Sequence, residues 1–257
     1  MSSVEPKRRS PVVAVAEGAA TALAGGALGA FVGSLVGLTW PAAVVGGVNG
    51  MISGGRGIYA WQRPSGGLAA VLDSTWALPM TAIAIVAHGV AAVSPGRGRY
   101  VAALSRRLNR HVYAGGFELR PGFVITLGNT INRAGDDVVT SDRRQRLITD
   151  HEDVHVWQAR WFGVLYPLLY VGWSVLGALV GVVVWATRRR ADSLAQVIEA
   201  CSYYLNPFEW WAYSRDGFWP PRRLVGEIGW QRPAVRAFSA TPRAQGRGRA
   251  ASPPGRR

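Results

Sequence analysis

The stretch Val164-Leu-Tyr-Pro-Leu-Leu-Tyr-Val-Gly-Trp-Ser-Val-Leu-Gly-Ala-Leu-Val-Gly-Val-Val-Val-Trp-Ala186 contains no charged residue over 23 positions. An apolar run of about 20 residues is long enough for an α-helix to cross the hydrocarbon core of a bilayer. This run is followed by Arg188-Arg189-Arg190, and arginines of this kind flank membrane spans at the water interface. The stretch therefore predicts a membrane helix over 164–190, and with it a mainly α-helical, integral membrane protein.

A second uncharged stretch, from Gly18 to Gly55, is long enough for two helices separated at Trp40-Pro41. Glycine recurs every four residues in both arms, at Gly25, Gly29, Gly33 and Gly37 and again at Gly46, Gly50 and Gly54. Such spacing lets helix backbones approach each other closely. We expect a glycine-zipper membrane hairpin over 12–60, whose glycines pack within one chain or, alternatively, support a homo-oligomer.

A third apolar segment, 68–93, predicts one further membrane helix. It is interrupted by Asp73, Pro79 and His88. Ionisable groups at membrane depth are often functional, so Asp73 and His88 are minor candidates for a functional role.

Residues 94–163 are richer in charge and turn-forming residues, and we expect a small α+β domain there. Apolar residues alternate on either side of Arg120-Pro121-Gly122-Phe123, at Phe117 and Leu119 before it and at Ile125 and Leu127 after it. Pro and Gly suit the two central positions of a type II turn. The pattern predicts a short β-hairpin over 117–127.

A helix is expected to follow, from the N-cap residue Ser141 to about Arg160. It carries His151-Glu152-Asp153-Val154-His155. Two imidazoles one helical turn apart can point at one metal ion, while the glutamate lies beside that ion. The only cysteine, Cys201, offers no thiolate cluster, so histidine and carboxylate would hold the metal.

A third ligand is required, and Glu209 is the best candidate, because Asn206-Pro207 would begin a new helix just before it. The alternatives are Glu199, Asp216 and His111.

The expected topology conflicts with this ligand set. A full crossing by 164–186 leaves Glu209 on the opposite side from His151, unless the chain returns between Ala191 and Asn206. Fifteen helical residues rise only about 22 Å, which is short for a second crossing. Either 164–190 and the return helix of 191–230 form a tilted hairpin, or Glu209 is not a ligand.

The stretch from His151 to Gln158 is similar to the His-Glu-x-x-His-x-x-Gln helices of the gluzincin metallopeptidases. The stretch from Asn206 to Tyr213 resembles the Asn-Pro-Phe-Glu-x-x-Ala-Tyr segment of bacterial, membrane-associated relatives of that family. The resemblance covers about 65 residues and implies a zincin-like domain over 94–163, a bound Zn²⁺ and a polypeptide substrate that pairs with the hairpin edge.

The resemblance also implies the role of each residue in the site. The metal ligands would be His151, His155 and Glu209, and Glu152 would act as general base and acid. Asp150 or Gln158 would orient an imidazole. Tyr213 and Arg215 are weaker candidates for stabilising the oxyanion.

The net charge of +14 comes almost entirely from arginine, since Lys7 is the only lysine. The basic residues cluster in the tail 1–11, in the disordered tail expected over 231–257, and between apolar runs. This distribution favours a lipid bilayer over nucleic acid as the partner. High arginine, alanine and glycine content indicates a bacterial source, hence the inner membrane, with both termini expected in the cytoplasm.

The orientation of the domain is a further difficulty. Three spans before residue 94 would place an arginine-rich domain outside the cell, unless one of the three is re-entrant. The leading functional hypothesis is a zinc endopeptidase. The alternatives are a non-enzymatic glycine-zipper scaffold with a structural or vestigial metal site, and a hydrolase that acts on a non-peptide substrate.

Overall fold

The computed structural model describes residues 9–94, 98–119, 121–188, 192–217, 219, 221, 225 and 228–235. The tail residues 1–8 and 236–257, the turn residue Arg120, and Arg189 and Arg190 lie outside the described residues. Within the described part the protein is mostly helical, with one small sheet. Among the described helices, Pro11–Ser34 and Leu165–Arg188 are long and apolar enough to cross a membrane.

Helices α1 (Pro11–Ser34) and α2 (Thr39–Arg56) form an antiparallel hairpin. Its turn lies at 35–38 rather than at Trp40-Pro41, because a proline is tolerated in the first turn of a helix, where its missing N–H has no intrahelical partner. Glycines line the contact between the two helices. A Cβ added to Gly46 would lie 2.2 Å from the carbonyl oxygen of Gly25, so the two backbones are in direct contact.

The open end of this hairpin, where α1 begins and α2 ends, contacts arginine side chains. The Arg9 guanidinium donates to the carbonyl oxygens of Gly54 and Gly55, at 2.6 and 2.9 Å. Arg107 donates to both carboxylate oxygens of Glu17, each at 2.8 Å. The start of α1 and the end of α2 therefore lie on the same side of the hairpin, next to Arg107.

The segment 68–93 is not one continuous helix as predicted, but its two helices together are long and apolar enough for a broken span or a re-entrant loop. The segment forms α3 (Pro64–Ser74) and α4 (Leu78–Val93), which meet at 89°. Pro79 lies in the first turn of α4, a position where proline starts a helix rather than continuing one. Helix α4 packs on the sheet, since a Cβ on Gly128 would lie 2.3 Å from the carbonyl oxygen of Met80.

The sheet consists of β1 (His111–Val112), β2 (Ile125–Leu127) and β3 (Thr130–Asn132), in the order β1-β3-β2. Strand β3 is parallel to β1 and antiparallel to β2. The predicted hairpin over 117–127 is therefore wrong in its strand pairing. The chain does turn at 121–122, with Gly122 at φ +80°, but the paired strands are β2 and β3, on the C-terminal side of that turn.

The predicted helix after Ser141 is present, and the Ser141 side chain accepts a hydrogen bond from the Arg144 backbone N–H. It comprises α5 (Asp142–Arg146), a π-helical turn (Leu147–Glu152) and α6 (Asp153–Phe162). Ile148 and Val156 bury its apolar side in a core shared with the sheet residues Val112 and Ile131. The helix is thus held directly against the sheet.

Helix α7 (Leu165–Arg188) is followed by α8 (Leu194–Glu199), a second π-helical turn (Ala200–Tyr204) and α9 (Pro207–Asp216). The return is close-packed: a Cβ on Gly177 would lie 2.4 Å from the Cys201 carbonyl oxygen, and one on Gly181 would lie 2.9 Å from the Ile198 Cα. The chain therefore doubles back along α7. This hairpin removes the topological objection to Glu209.

Candidate metal centre

The two histidines of the motif lie on adjacent helical turns. His151 belongs to the π-helical turn and His155 to α6. Their Nε2 atoms are 3.3 Å apart, and both side chains are buried. Two nitrogen lone pairs consequently face one small volume.

Glu209 reaches the same volume from α9. The Asn206 side chain caps that helix by accepting from the Phe208 N–H, and Pro207 occupies its first position. Glu209 Oε2 lies 3.5 Å from His151 Nε2, and Glu209 Oε1 lies 3.5 Å from His155 Nε2. Among the described residues this is the one group of three or more histidine, cysteine and carboxylate side chains whose donor atoms, all within 4.8 Å of each other, could hold a metal ion.

Each histidine has a hydrogen-bond partner on the ring nitrogen that faces away from the cluster. His151 Nδ1 lies 3.0 Å from Asp216 Oδ2, and His155 Nδ1 lies 2.8 Å from Gln158 Oε1. The Tyr166 hydroxyl is 3.3 Å from the same His155 nitrogen. These contacts fix the orientation of both rings, as the outer partners of metal-binding histidines do.

The charges of the cluster are strongly coupled. Burial alone lowers the pKa of His151, but the hydrogen bonds to Asp216 and Glu209 outweigh it and raise that pKa to about 10. The pKa of His155 is also raised, by Glu209 against the effect of burial. Burial raises the pKa of Glu209, yet the two imidazoles hold it well below its usual value. The raised pKa of His151 and the lowered pKa of Glu209 favour a protonated imidazole beside a carboxylate in the metal-free protein.

Glu152 is buried beside the ligands and contacts the sheet. The Thr126 hydroxyl of β2 donates to Glu152 Oε2 at 2.6 Å. The Glu152 carboxylate is close enough to the cluster for its charge to help raise the pKa of both His151 and His155. This hydrogen bond links β2, at one edge of the sheet, to Glu152, the predicted general base.

The residues present fit a metal ion. Glu209 Oε2 is buried and accepts no well-formed hydrogen bond, since its neighbour His151 Nε2 is 3.5 Å away. A buried carboxylate oxygen with so distant a partner is costly, and a cation supplies the missing interaction. Two imidazoles and one carboxylate are also the donor set of catalytic three-ligand zinc sites.

The structure also locates the other predicted residues. His111 lies in β1, where its Nε2 and Nδ1 face Ser53 and Tyr100. Glu199 ends α8. Asp150 accepts from the Thr149 hydroxyl, and Cys201 is buried against α7.

The remaining predicted residues lie on α9 and in the helices around the sheet. The ring of Tyr213 meets the His151 ring edge to face, with 4.5 Å between centroids, and Arg215 follows it on the same helix. Asp73 is paired with Arg160, and His88 Nδ1 lies 2.9 Å from the Tyr113 hydroxyl. Gln158 contacts His155, as expected of a residue that orients an imidazole. Asp216, an alternative third ligand, contacts the outer nitrogen of His151 instead of facing the cluster.

Three hydroxyls at the site were not predicted from the sequence: Thr126, Tyr166 and Tyr170. Tyr170 donates to Glu209 Oε1 at 2.8 Å. A signal existed for two of them, because Tyr166 and Tyr170 are four residues apart and share one face of an otherwise apolar helix. Likewise, Asp216 lies seven residues after Glu209, on the same face of α9.

The centre thus belongs to a mostly helical protein that has two candidate membrane helices and a His-His-Glu cluster able to hold a metal ion. No protein-family model matches the chain, and no curated protein or solved structure matches it significantly.

Proposed function

We propose that this protein is a zinc-dependent endopeptidase of the bacterial inner membrane. The observation that carries the proposal is the convergence of His151, His155 and Glu209, from segments more than 50 residues apart, with Glu152 adjoining them. A zinc ion held by three protein ligands keeps one position for water, lowers the pKa of that water towards ~7 and polarises a carbonyl.

The protein's own residues would then have separate tasks. His151, His155 and Glu209 hold the ion, and Asp216 and Gln158 fix the two rings. Glu152 takes a proton from the attacking water and passes it to the leaving amine, which is general base and then general acid catalysis. The Thr126 hydroxyl, at 2.6 Å, holds the Glu152 carboxylate in place. Burial keeps Tyr213 protonated by raising its pKa, so it can donate to a developing oxyanion.

The position of strand β2 at the edge of the sheet favours a polypeptide as the substrate. It pairs on one side with β3 and has no strand on its other side among the described residues. Its Thr126 contacts Glu152, so an extended chain added to this edge would pass next to the general base. A peptide is therefore favoured over the small non-peptide substrates of the third hypothesis.

We place the domain in the cytoplasm. Since the start of α1 and the end of α2 both lie next to Arg107, the hairpin leaves the domain on the same side as Arg9 and the start of α1. The arginine-rich segments then remain on the cytoplasmic side, as the positive-inside tendency requires. The lipid-facing surface is provided by exposed apolar residues of α1 and α7, such as Leu23, Phe31, Leu168 and Leu179.

The test is metal content and cleavage in the purified, lipid-reconstituted protein. We expect about one zinc per chain, lost in His155→Ala and in Glu209→Ala. Glu152→Gln should retain the zinc and lose cleavage of an unfolded polypeptide. Zinc bound at an unchanged level in Glu209→Ala would refute the three-ligand site, and full cleavage by Glu152→Gln would refute the mechanism.

The non-enzymatic scaffold is the second candidate, and the glycine contacts between α1 and α2 favour it. These glycines face each other within one chain, so a scaffold would use them to build a rigid hairpin. Zinc retained by both Glu152→Gln and wild type, with no cleavage by wild type under any condition, would favour this candidate. A homo-oligomer would appear in the mass of the reconstituted complex.

A further inference from the structure

The two oxygens of Glu209 have different surroundings. Oε1 accepts a hydrogen bond from the Tyr170 hydroxyl at 2.8 Å. Oε2 is buried, accepts no well-formed hydrogen bond and lies 3.5 Å from His151 Nε2. Oε1 also lies 3.5 Å from His155 Nε2, so each oxygen faces one imidazole, but only Oε1 is held by a hydroxyl as well. Oε2 is therefore the oxygen more open to a cation.

Tyr170 belongs to α7, the more apolar of the two candidate membrane helices. Its carbonyl oxygen accepts from Asn206 Nδ2 at 3.3 Å, and its ring stacks on Phe208 with 6.0 Å between centroids. One residue of the span thus contacts the cap of α9, the residue before Glu209, and Glu209 itself. The carboxylate cannot rotate without breaking its bond to the span.

We propose that Tyr170 is a positioning residue that makes Glu209 a one-oxygen ligand. The tyrosine hydroxyl takes one lone pair of Oε1 and holds the carboxylate in one orientation, which favours Oε2 over Oε1 as the ligand atom. Two imidazoles and one oxygen then leave the fourth tetrahedral position for water. Without the hydroxyl, both oxygens are free to bind, and the carboxylate would take the position that the water needs.

This inference rests on the proposed metal site and adds a property to it. The coordination number of the ion depends on a hydroxyl that enters the site from a membrane helix. A structural metal site needs no such control, because it has no open position to protect. Control of one carboxylate oxygen therefore has a use in a site that keeps a position open for water.

The experiment replaces zinc with cobalt in the reconstituted protein and records the visible spectrum, whose intensity falls as the coordination number of cobalt rises. We expect an intense spectrum for wild type and a loss of intensity in Tyr170→Phe, which keeps the ring and the backbone carbonyl. Tyr100→Phe is the matched control. It removes a largely buried hydroxyl that contacts His111 instead of Glu209, so it should match wild type.

Infrared spectroscopy of the wild-type protein gives a second measurement that needs no variant. The antisymmetric and symmetric carboxylate stretches are widely separated in a one-oxygen ligand and closer in a two-oxygen ligand. The zinc-loaded minus zinc-free difference spectrum, assigned with labelled glutamate, should show the wide separation. A narrow separation would overturn the proposal, as would a Tyr170→Phe cobalt spectrum identical to wild type.

The outcomes separate this inference from the proposed function. If wild type binds zinc and cleaves a peptide while either spectrum contradicts the one-oxygen ligand, only the role of Tyr170 is lost. If wild type binds neither zinc nor cobalt, the metal site fails and the role of Tyr170 fails with it.

Discussion

Asp216 Oδ2 lies 3.0 Å from His151 Nδ1, although the two residues are 65 positions apart in the chain. The contact joins the last turn of α9 to the π-helical turn that carries the motif. Because it occupies the nitrogen that faces away from Glu209, it leaves Nε2 of His151 directed at the cluster.

Replacing Asp216 should weaken metal binding without removing a ligand. We expect Asp216→Asn to lower zinc affinity by about 10-fold to 100-fold, the usual effect of losing an outer hydrogen-bond partner. Asp150→Asn is the matched control, because Asp150 lies next to His151 in sequence but contacts Thr149. Competition with a zinc chelator measures both affinities. Equal affinities in the two variants would contradict the orienting role of Asp216.

Zinc binding should be strongly dependent on pH. The pKa of His151 is raised to about 10 in the metal-free protein, so at neutral pH this imidazole carries a proton that zinc must displace. Affinity should therefore increase by at least about tenfold per pH unit between pH 6 and 9, with His155 adding to the slope because its pKa is also raised, and stop increasing near pH 10. Calorimetry in two buffers of different ionisation enthalpy should show proton release, and binding without proton release at pH 7 would contradict this assignment.

The raised pKa of His151 also makes the folding stability of the metal-free protein depend on pH, in the opposite direction to zinc affinity. A pKa that is higher in the folded state than in the unfolded state stabilises folding fully below pH 6.5, and this contribution is lost as the pH rises through about 10. Thermal unfolding of the metal-free protein should therefore show stability falling between pH 6.5 and 10. In the Asp216→Asn variant the fall should be smaller, because a main cause of the shift has been removed.

Local patterns predicted the parts of the site that depend on neighbours in the chain. The spacing of His151 and His155 on one helix face, the Ser141 cap and the Asn206-Pro207 start of α9 follow from local rules and are present. From the sequence alone it stayed open whether the chain returns along the apolar helix, and the packing of Gly177 and Gly181 against the following segment shows that it does.

The parts that were missed depend on contacts between distant segments. Proline and glycine at 121–122 make a turn, but whether the flanking residues pair as strands depends on β3 and on α4 beneath it. The apolar content of 68–93 is compatible with a span or with a helix buried against a sheet, and periodicity does not separate these two. The right-angle break between α3 and α4 coincides with Pro79 in the first turn of α4, and α4 beyond the break packs on β2 and β3.

The buried ion pair between Asp73 and Arg160 should be essential for stability. Arg160 Nε and Nη2 donate to the two Asp73 oxygens at 2.8 and 2.9 Å, and both side chains are at most 2% exposed. Asp73→Asn leaves the arginine charge buried without its counter-charge. We expect it to lower the free energy of unfolding by about 3–5 kcal/mol.

The control for this prediction is an exposed ion pair in the same protein. Arg99 and Asp136 are 3.2 Å apart, with side chains 56% and 92% exposed. Asp136→Asn should change the free energy of unfolding by at most about 0.5 kcal/mol. Unfolding in detergent measures both variants. Equal effects would show that the Asp73 pair contributes no more than a surface contact.

Two adjacent glycines of α2 provide the sharpest test of the hairpin. A Cβ on Gly46 would lie 2.2 Å from the Gly25 carbonyl oxygen, whereas a Cβ on Gly47 would have its nearest neighbour at 3.6 Å, the Ala22 carbonyl oxygen. Gly46→Ala must therefore push α1 and α2 apart, at a cost of about 2–3 kcal/mol, while Gly47→Ala should change stability by less than about 1 kcal/mol. The two variants add the same methyl group one position apart, so hydrophobicity and helix propensity are matched. Thermal unfolding in detergent that gave the same midpoint for both would mean that α1 and α2 do not pack through these glycines.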